Sequence, residues 1–226
     1  MPLTTMPQVP RQLALALDHA ESFSREDFLN APCNAAALTL IERWPDWTGP
    51  ALLLLGPEGS GKSHLAGIWG ANSGARFLAA RALAPALVPP ALATGALVIE
   101  DLAPGRFDER ALFHLLNLAR EEHAFVLLTA RSAPAGWRLA IADLASRLKA
   151  LPVAALTAPD DALLRAVLVK LFADRQLAVD ESLVGYLAKR IERSLAAARK
   201  TVAVLDQEAM RQKRPLTRAL AAEMLR

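Results

Sequence analysis

Eight consecutive residues, Gly56-Pro57-Glu58-Gly59-Ser60-Gly61-Lys62-Ser63, have the types and spacing to hold a phosphate chain. Two glycines bracket four free positions and are followed by Lys and Ser, which is the P-loop pattern. Glycines let the backbone close around a phosphate, and the amides beyond them point inward as donors. Lys62 brings positive charge to the outer phosphates, and the Ser63 hydroxyl can bind Mg²⁺. Further along, Leu97-Val98-Ile99-Glu100-Asp101 ends an apolar run in two adjacent carboxylates. In a P-loop context Glu100 suits the Mg²⁺ ligand and Asp101 the group that activates water. Thr129 closes another apolar run, where a polar side chain can sense a terminal phosphate. The chemistry these residues suit is nucleotide binding, with hydrolysis as its extension.

Such residues need a scaffold. Short apolar runs at 51–55, 76–79, 96–99, 125–129 and 153–156 are bounded by Gly, Pro or charge, as buried strands are. Between them lie helical spacings, such as Leu112, Leu115, Leu116 and Ala119 on one face. Strands alternating with helices predict an α/β fold with a parallel sheet covered on both sides. After Pro159 the strands stop. Leu163, Leu164, Val167, Leu168 and Leu171 predict one amphipathic helix, and Val184, Leu187 and Ile191 a second. Leu195, Ala198, Val202 and Leu205 predict a third, and Leu216, Leu220 and Met224 a fourth, entered through Pro215. The α/β body therefore carries an all-helical C-terminal piece. The Ala/Pro-rich stretch 81–95 has no readable element.

Composition narrows the class. With 226 residues, 53% of them hydrophobic, the chain can bury a core and is not a disordered one. The longest uncharged stretch, 82–99, is broken by Pro85, Pro89, Pro90 and Gly95, a poor membrane span. No signal peptide is read at the start, and Cys33 alone allows no internal disulfide. A cytoplasmic protein with no membrane partner is expected. Net charge is +3, but from Lys189 onward ten Lys/Arg face four Asp/Glu. A basic tail can meet nucleic acid or an acidic protein, or form an arginine-rich solvated helix surface.

The order of P-loop, acidic strand end, "VLLTAR", "DLASRL" and helical tail resembles the AAA+ ATPases, and most of all DnaA-related regulatory proteins of the Hda type. The resemblance covers nearly the whole chain. It implies a five-stranded parallel sheet at 21–158, a helical lid at 159–226 and ADP or ATP with Mg²⁺ between them. The nucleotide-binding set then runs from Gly56 through His64 and adds Asn34 from "FLNAPCN". Arg147 in "DLASRL" falls on the arginine finger, which reaches a neighbouring subunit's nucleotide. In the N-terminal stretch 1–20, Gln12, Leu13, Leu15 and Leu17 resemble a peptide that docks on the DNA polymerase sliding clamp. An extended segment places the three leucines on one side. The partners implied are the clamp, DnaA, a weak DNA contact through the basic lid and a second copy of the chain. DnaA carries a further DNA-binding domain, for which a chain ending at Arg226 has no room, so a regulator of replication initiation is expected. The alternative is a DNA-binding ATPase such as a helicase loader or remodelling factor. Two departures argue for weak hydrolysis: Glu100 stands where Asp is usual, and Ala196 where the lid's phosphate-contacting arginine belongs, flanked by Arg193 and Arg199.

Overall fold

The computed structural model describes residues 23–225. The expected clamp-docking residues Gln12, Leu13, Leu15 and Leu17 lie outside them. Five strands, β1 (Ala51–Leu55), β2 (Arg76–Ala79), β3 (Ala96–Leu102), β4 (Phe125–Ala130) and β5 (Val153–Ala155), form one parallel sheet. Their order is β2-β3-β4-β1-β5, with β4 central. The period-2 pleat sends alternate residues to opposite faces, and both faces are covered. Leu53, Leu97, Ile99, Val126 and Leu128 enter one core, while Leu52, Leu54, Val98 and Leu127 enter the other.

Helices α1 (Ala35–Glu42) and α2 (Lys62–Ser73) close the second core with Leu38, Ile41, Leu65 and Trp69. The first core is closed by α3 (Val88–Ala91), α4 (Glu109–Glu121) and α5 (Ala142–Ala150), through Val88, Leu112, Leu115, Leu144 and Leu148. Stretch 81–95 is ordered by burial rather than by period. Two 3₁₀ turns, Ala80–Ala82 and Pro85–Leu87, lead into α3, and Leu83, Val88 and Leu92 are inserted into the first core. Helices α1 and α5 go beyond the sequence expectations.

The expected C-terminal helices are α6 (Asp161–Asp174), α7 (Glu181–Arg190), α8 (Leu195–Gln212) and α9 (Arg218–Met224). They share a core of their own around Leu164, Leu168, Phe172, Leu187, Val202 and Leu205. Each starts at a side-chain cap: Asp160, Asp180, Ser194 and Thr217 accept from amides three residues on. Among the described residues no helix is long and apolar enough to cross a membrane.

One expected boundary is wrong in an informative way. β3 does not stop at Ile99 but continues to Leu102, and its pairing with β4 slips between Ile99 and Leu102. The slip is a bulge at Glu100 and Asp101. Asp101 takes φ 58°, a left-handed conformation that Asp tolerates better than most residues.

Candidate functional site

The loop between β1 and α2 carries the phosphate-binding pattern. Gly61 opens α2 at φ 100°, and no side chain caps that helix, so its first-turn amides face the loop without a side-chain acceptor. Lys62 is buried, and its ammonium donates to the Gly56 carbonyl at 2.8 Å and the Pro57 carbonyl at 2.7 Å. Burial lowers the Lys62 pKa first and the Arg131 guanidinium lowers it further, while Asp101 and Glu58 pull it back. Inside the loop the Ser60 hydroxyl is buried with no hydrogen-bond partner. Glu58 at the loop's tip pairs with Arg131, just past β4.

Behind the loop, the β3 bulge brings the two carboxylates into play. The Asp101 amide donates to the buried Thr129 hydroxyl at 3.0 Å, so β4 holds the bulge in place. Asp101 itself is exposed. Burial, and then the neighbouring Asp101 charge, raise the Glu100 pKa, and a hydrogen bond from Ser63 partly offsets them. Ser63 and Glu100 thus meet, one from each side of the loop. Among the described residues no cluster of three His, Cys, Asp or Glu side chains forms a protein-only metal cage. Two oxygen donors facing a phosphate loop instead suit Mg²⁺, which keeps most of its ligands as water and phosphate.

A cavity of ≈ 570 Å³ lies beside the loop, between body and lid. Its body wall includes Phe23, Phe28, Asn34 and His64, and its lid wall Leu171, Leu195 and Arg199. That is the volume and mixture of aromatic and charged groups that a nucleoside needs. A Cβ on Gly61 would lie 3.5 Å from Leu195 and 3.8 Å from Phe28, so the phosphate loop and cavity share walls. Asn34 organises the rim: its side chain accepts from the Ala31 amide at 2.9 Å and donates to the Leu29 carbonyl at 3.0 Å. The His64 ring stands edge-on to Phe23 and Phe28, with Nε2 2.8 Å from the Ser24 carbonyl. Lys170 of α6 bridges the mouth, 2.7 Å from Asp27 of the body and 3.2 Å from Asp174. Those hydrogen bonds and charges hold its pKa above the usual lysine range.

The lid also touches the phosphate loop directly. The Leu195 amide donates to the Gly59 carbonyl at 2.7 Å. Gly59 has φ 68°, and a Cβ there would lie 2.7 Å from Ser194 Cβ and 3.1 Å from Ala196 Cβ. Where the resemblance leads one to look for an arginine, the small Ala196 lets α8 sit on the loop. Arg193 is turned away to Asp161 at 2.9 Å, and Arg199 lines the cavity.

Arg147 stands elsewhere. Its guanidinium hydrogen-bonds the Asn117 side chain and lies 4.8 Å from the Phe113 ring centroid, both on α4 rather than on the phosphate loop. Sequence reasoning missed Phe23, Asp27, Phe28 and Lys170. No spacing links them, because they converge from two separate parts of the chain.

No protein-family model and no curated protein matches the chain. Solved structures do. Domain III of the Thermotoga maritima replication initiation protein DnaA aligns with TM-score 0.74 at 19% identity, covering 90% of this chain and 95% of that one. AMPPCP-bound DnaA from Aquifex aeolicus aligns at TM-score 0.68 and 14% identity, covering 84% and 66%. The Thermotoga maritima RuvB Holliday junction branch migration motor aligns at 0.64 and 18%, covering 77% and 60%. The fold is thus that of the AAA+ P-loop NTPases.

Proposed function

We propose that this chain is an adenine-nucleotide-binding AAA+ protein that regulates replication initiation, docking on the sliding clamp and promoting hydrolysis of DnaA-bound ATP. The observation that carries the nucleotide assignment is that Phe28 and Leu195, which line the ≈ 570 Å³ cavity, also stand against Gly61 of the phosphate loop. In this reading the amides from Gly59 to Ser63 hold the phosphates. Lys62 neutralises them, and Phe23, Phe28 and His64 enclose the base at a rim shaped by Asn34. Ser63 and Glu100 hold Mg²⁺ with the phosphates, and a bound nucleotide supplies a phosphoanhydride. In the same reading Asp101 would act as the base and Thr129 as the phosphate sensor, the Thr129 hydroxyl also accepting from the Asp101 amide.

The chain's own turnover is slow in this proposal. Ala196 offers no guanidinium to the phosphates, and α8 is hydrogen-bonded straight to Gly59, so nucleotide acts chiefly to brace lid against body. Arg147 is free of its own phosphate loop and steadied by Asn117 and Phe113. It would serve a nucleotide on a neighbouring subunit, where a guanidinium offsets charge developing on the transferred phosphoryl group. Residues 1–20 supply the clamp peptide, 21–158 the body and 159–226 the lid. The test is hydrolysis of DnaA-bound ATP on clamp-loaded DNA, with and without the purified chain. Stimulation that disappears when residues 1–17 are removed supports the proposal. Failure to stimulate refutes it. The likeness to RuvB and the basic lid favour a second reading, a DNA-binding ATPase, and DNA-dependent turnover without clamp or DnaA would select it.

A further inference from the structure

The lid carries a second recess that shares no residue with the nucleotide cavity. It is an open groove of ≈ 830 Å³ formed by α6, α7 and α9, lined by Arg165, Lys189, Arg190 and Arg218 with Glu181 as the one carboxylate. Among the described residues none of these four cations forms an ion pair, although arginines elsewhere on the surface do. The groove is also organised. Tyr186 lies between the helices with the guanidinium of Arg190 4.7 Å and that of Arg218 5.4 Å from its ring centroid. Arg165 reaches over the bare backbone of Gly185, where a Cβ would lie 3.7 Å from its Nη1.

Four like charges gathered around a single carboxylate, with which none of them pairs, repel one another, so the groove gains most from an anionic ligand. Contact with the Tyr186 ring restrains two guanidiniums, whose forked N–H donors suit phosphate oxygens in pairs. The lining offers no apolar pocket of the kind that anchors a peptide side chain. Tyr186 is also a poor stacking platform for an unpaired base, because two guanidiniums already occupy its surroundings. We propose that this face of the lid binds the phosphate backbone of duplex DNA without reading its sequence. Arg165, Lys189, Arg190 and Arg218 are the contacts.

The test is fluorescence anisotropy of a labelled duplex titrated with the full chain over a salt series. Each phosphate contact contributes about −0.9 to the slope of log K against log salt. Arg190→Gln with Arg218→Gln should make the slope less negative by about 1.8. Lys189→Gln, an exposed change that leaves Tyr186 packed, should shift it by about 0.9. Adenine-nucleotide affinity, measured on the same samples, should not change, so this site and the nucleotide site stand or fall separately. Slopes that match wild type in both variants would overturn the proposal. So would tighter binding of poly-glutamate or of a single strand than of duplex, the first of which would assign the groove to an acidic protein.

Discussion

Gly59→Ala tests whether the lid is seated on the phosphate loop. Two costs follow from the structure. At φ 68° an L side chain meets its own carbonyl, worth about 1–2 kcal/mol. The new methyl would also stand 2.7 Å from Ser194 Cβ, and α8 has to back away to accommodate it. Backing away breaks the 2.7 Å hydrogen bond from the Leu195 amide to Gly59, worth about 0.5–1.5 kcal/mol. The variant should lose about 1.5–3.5 kcal/mol in urea unfolding. Gly105→Ala is the control, because Gly105 has φ 72° and nothing within 4 Å of a Cβ. It should lose only the backbone cost of about 1–2 kcal/mol. Hydrogen exchange at the Leu195 amide should quicken in Gly59→Ala alone, and nucleotide affinity should fall with it. Equal destabilisation of the two variants, with Leu195 exchange unchanged in both, would refute the contact between α8 and the loop.

Other outcomes follow from the same geometry. Lys62→Ala removes the buried ammonium of the phosphate loop and should cut adenine-nucleotide affinity at least about tenfold by isothermal titration, a charge-assisted hydrogen bond being worth about 1.5–3 kcal/mol; unchanged affinity would move the nucleotide elsewhere. Burial, reinforced by Asp101, raises the Glu100 pKa, so the folded state holds that proton to higher pH than the unfolded chain. Its ionised form therefore costs stability at neutral pH, and the cost fades as pH falls through the raised value towards the ordinary 4.5. Glu100→Gln should accordingly raise the urea midpoint at neutral pH, lose that advantage under acid conditions, and weaken Mg²⁺-dependent nucleotide binding; no gain at neutral pH would contradict the burial argument. Arg147→Ala should leave nucleotide binding intact while lowering stimulated hydrolysis of DnaA-bound ATP by about 10³–10⁵. Full stimulation by that variant would pass the role to another basic residue. Phosphate release by the chain alone should stay well below the usual enzyme range of about 1–10³ s⁻¹, and a rate inside it would show that Ala196 costs nothing.

The strand, loop and helix at 51–73 were legible in the amino-acid order because their physics is local. A strand, a glycine turn and a helix N-terminus are contiguous, and Lys62 bonds carbonyls five and six residues away. The parallel sheet and the separate helical lid were legible for a related reason, since period and capping are properties of neighbouring residues. What only the tertiary structure decided depends on distant parts meeting. The cavity between body and lid takes Phe28 from before α1, His64 from α2 and Lys170 from α6, and none of these residues signals the others. The end of β3 was misplaced because the bulge at Asp101 is set by Thr129, across the sheet on β4. Ala196 reads in the sequence as an arginine lost. In the structure it is also a small side chain against a glycine, and that close approach lets α8 reach the phosphate loop. Likewise the basic stretch from Lys189 onward is a composition until folding separates its charges. Arg193 then pairs with Asp161, while Arg190 and Arg218 gather around Tyr186, because helix packing and not sequence spacing decides which charges become neighbours.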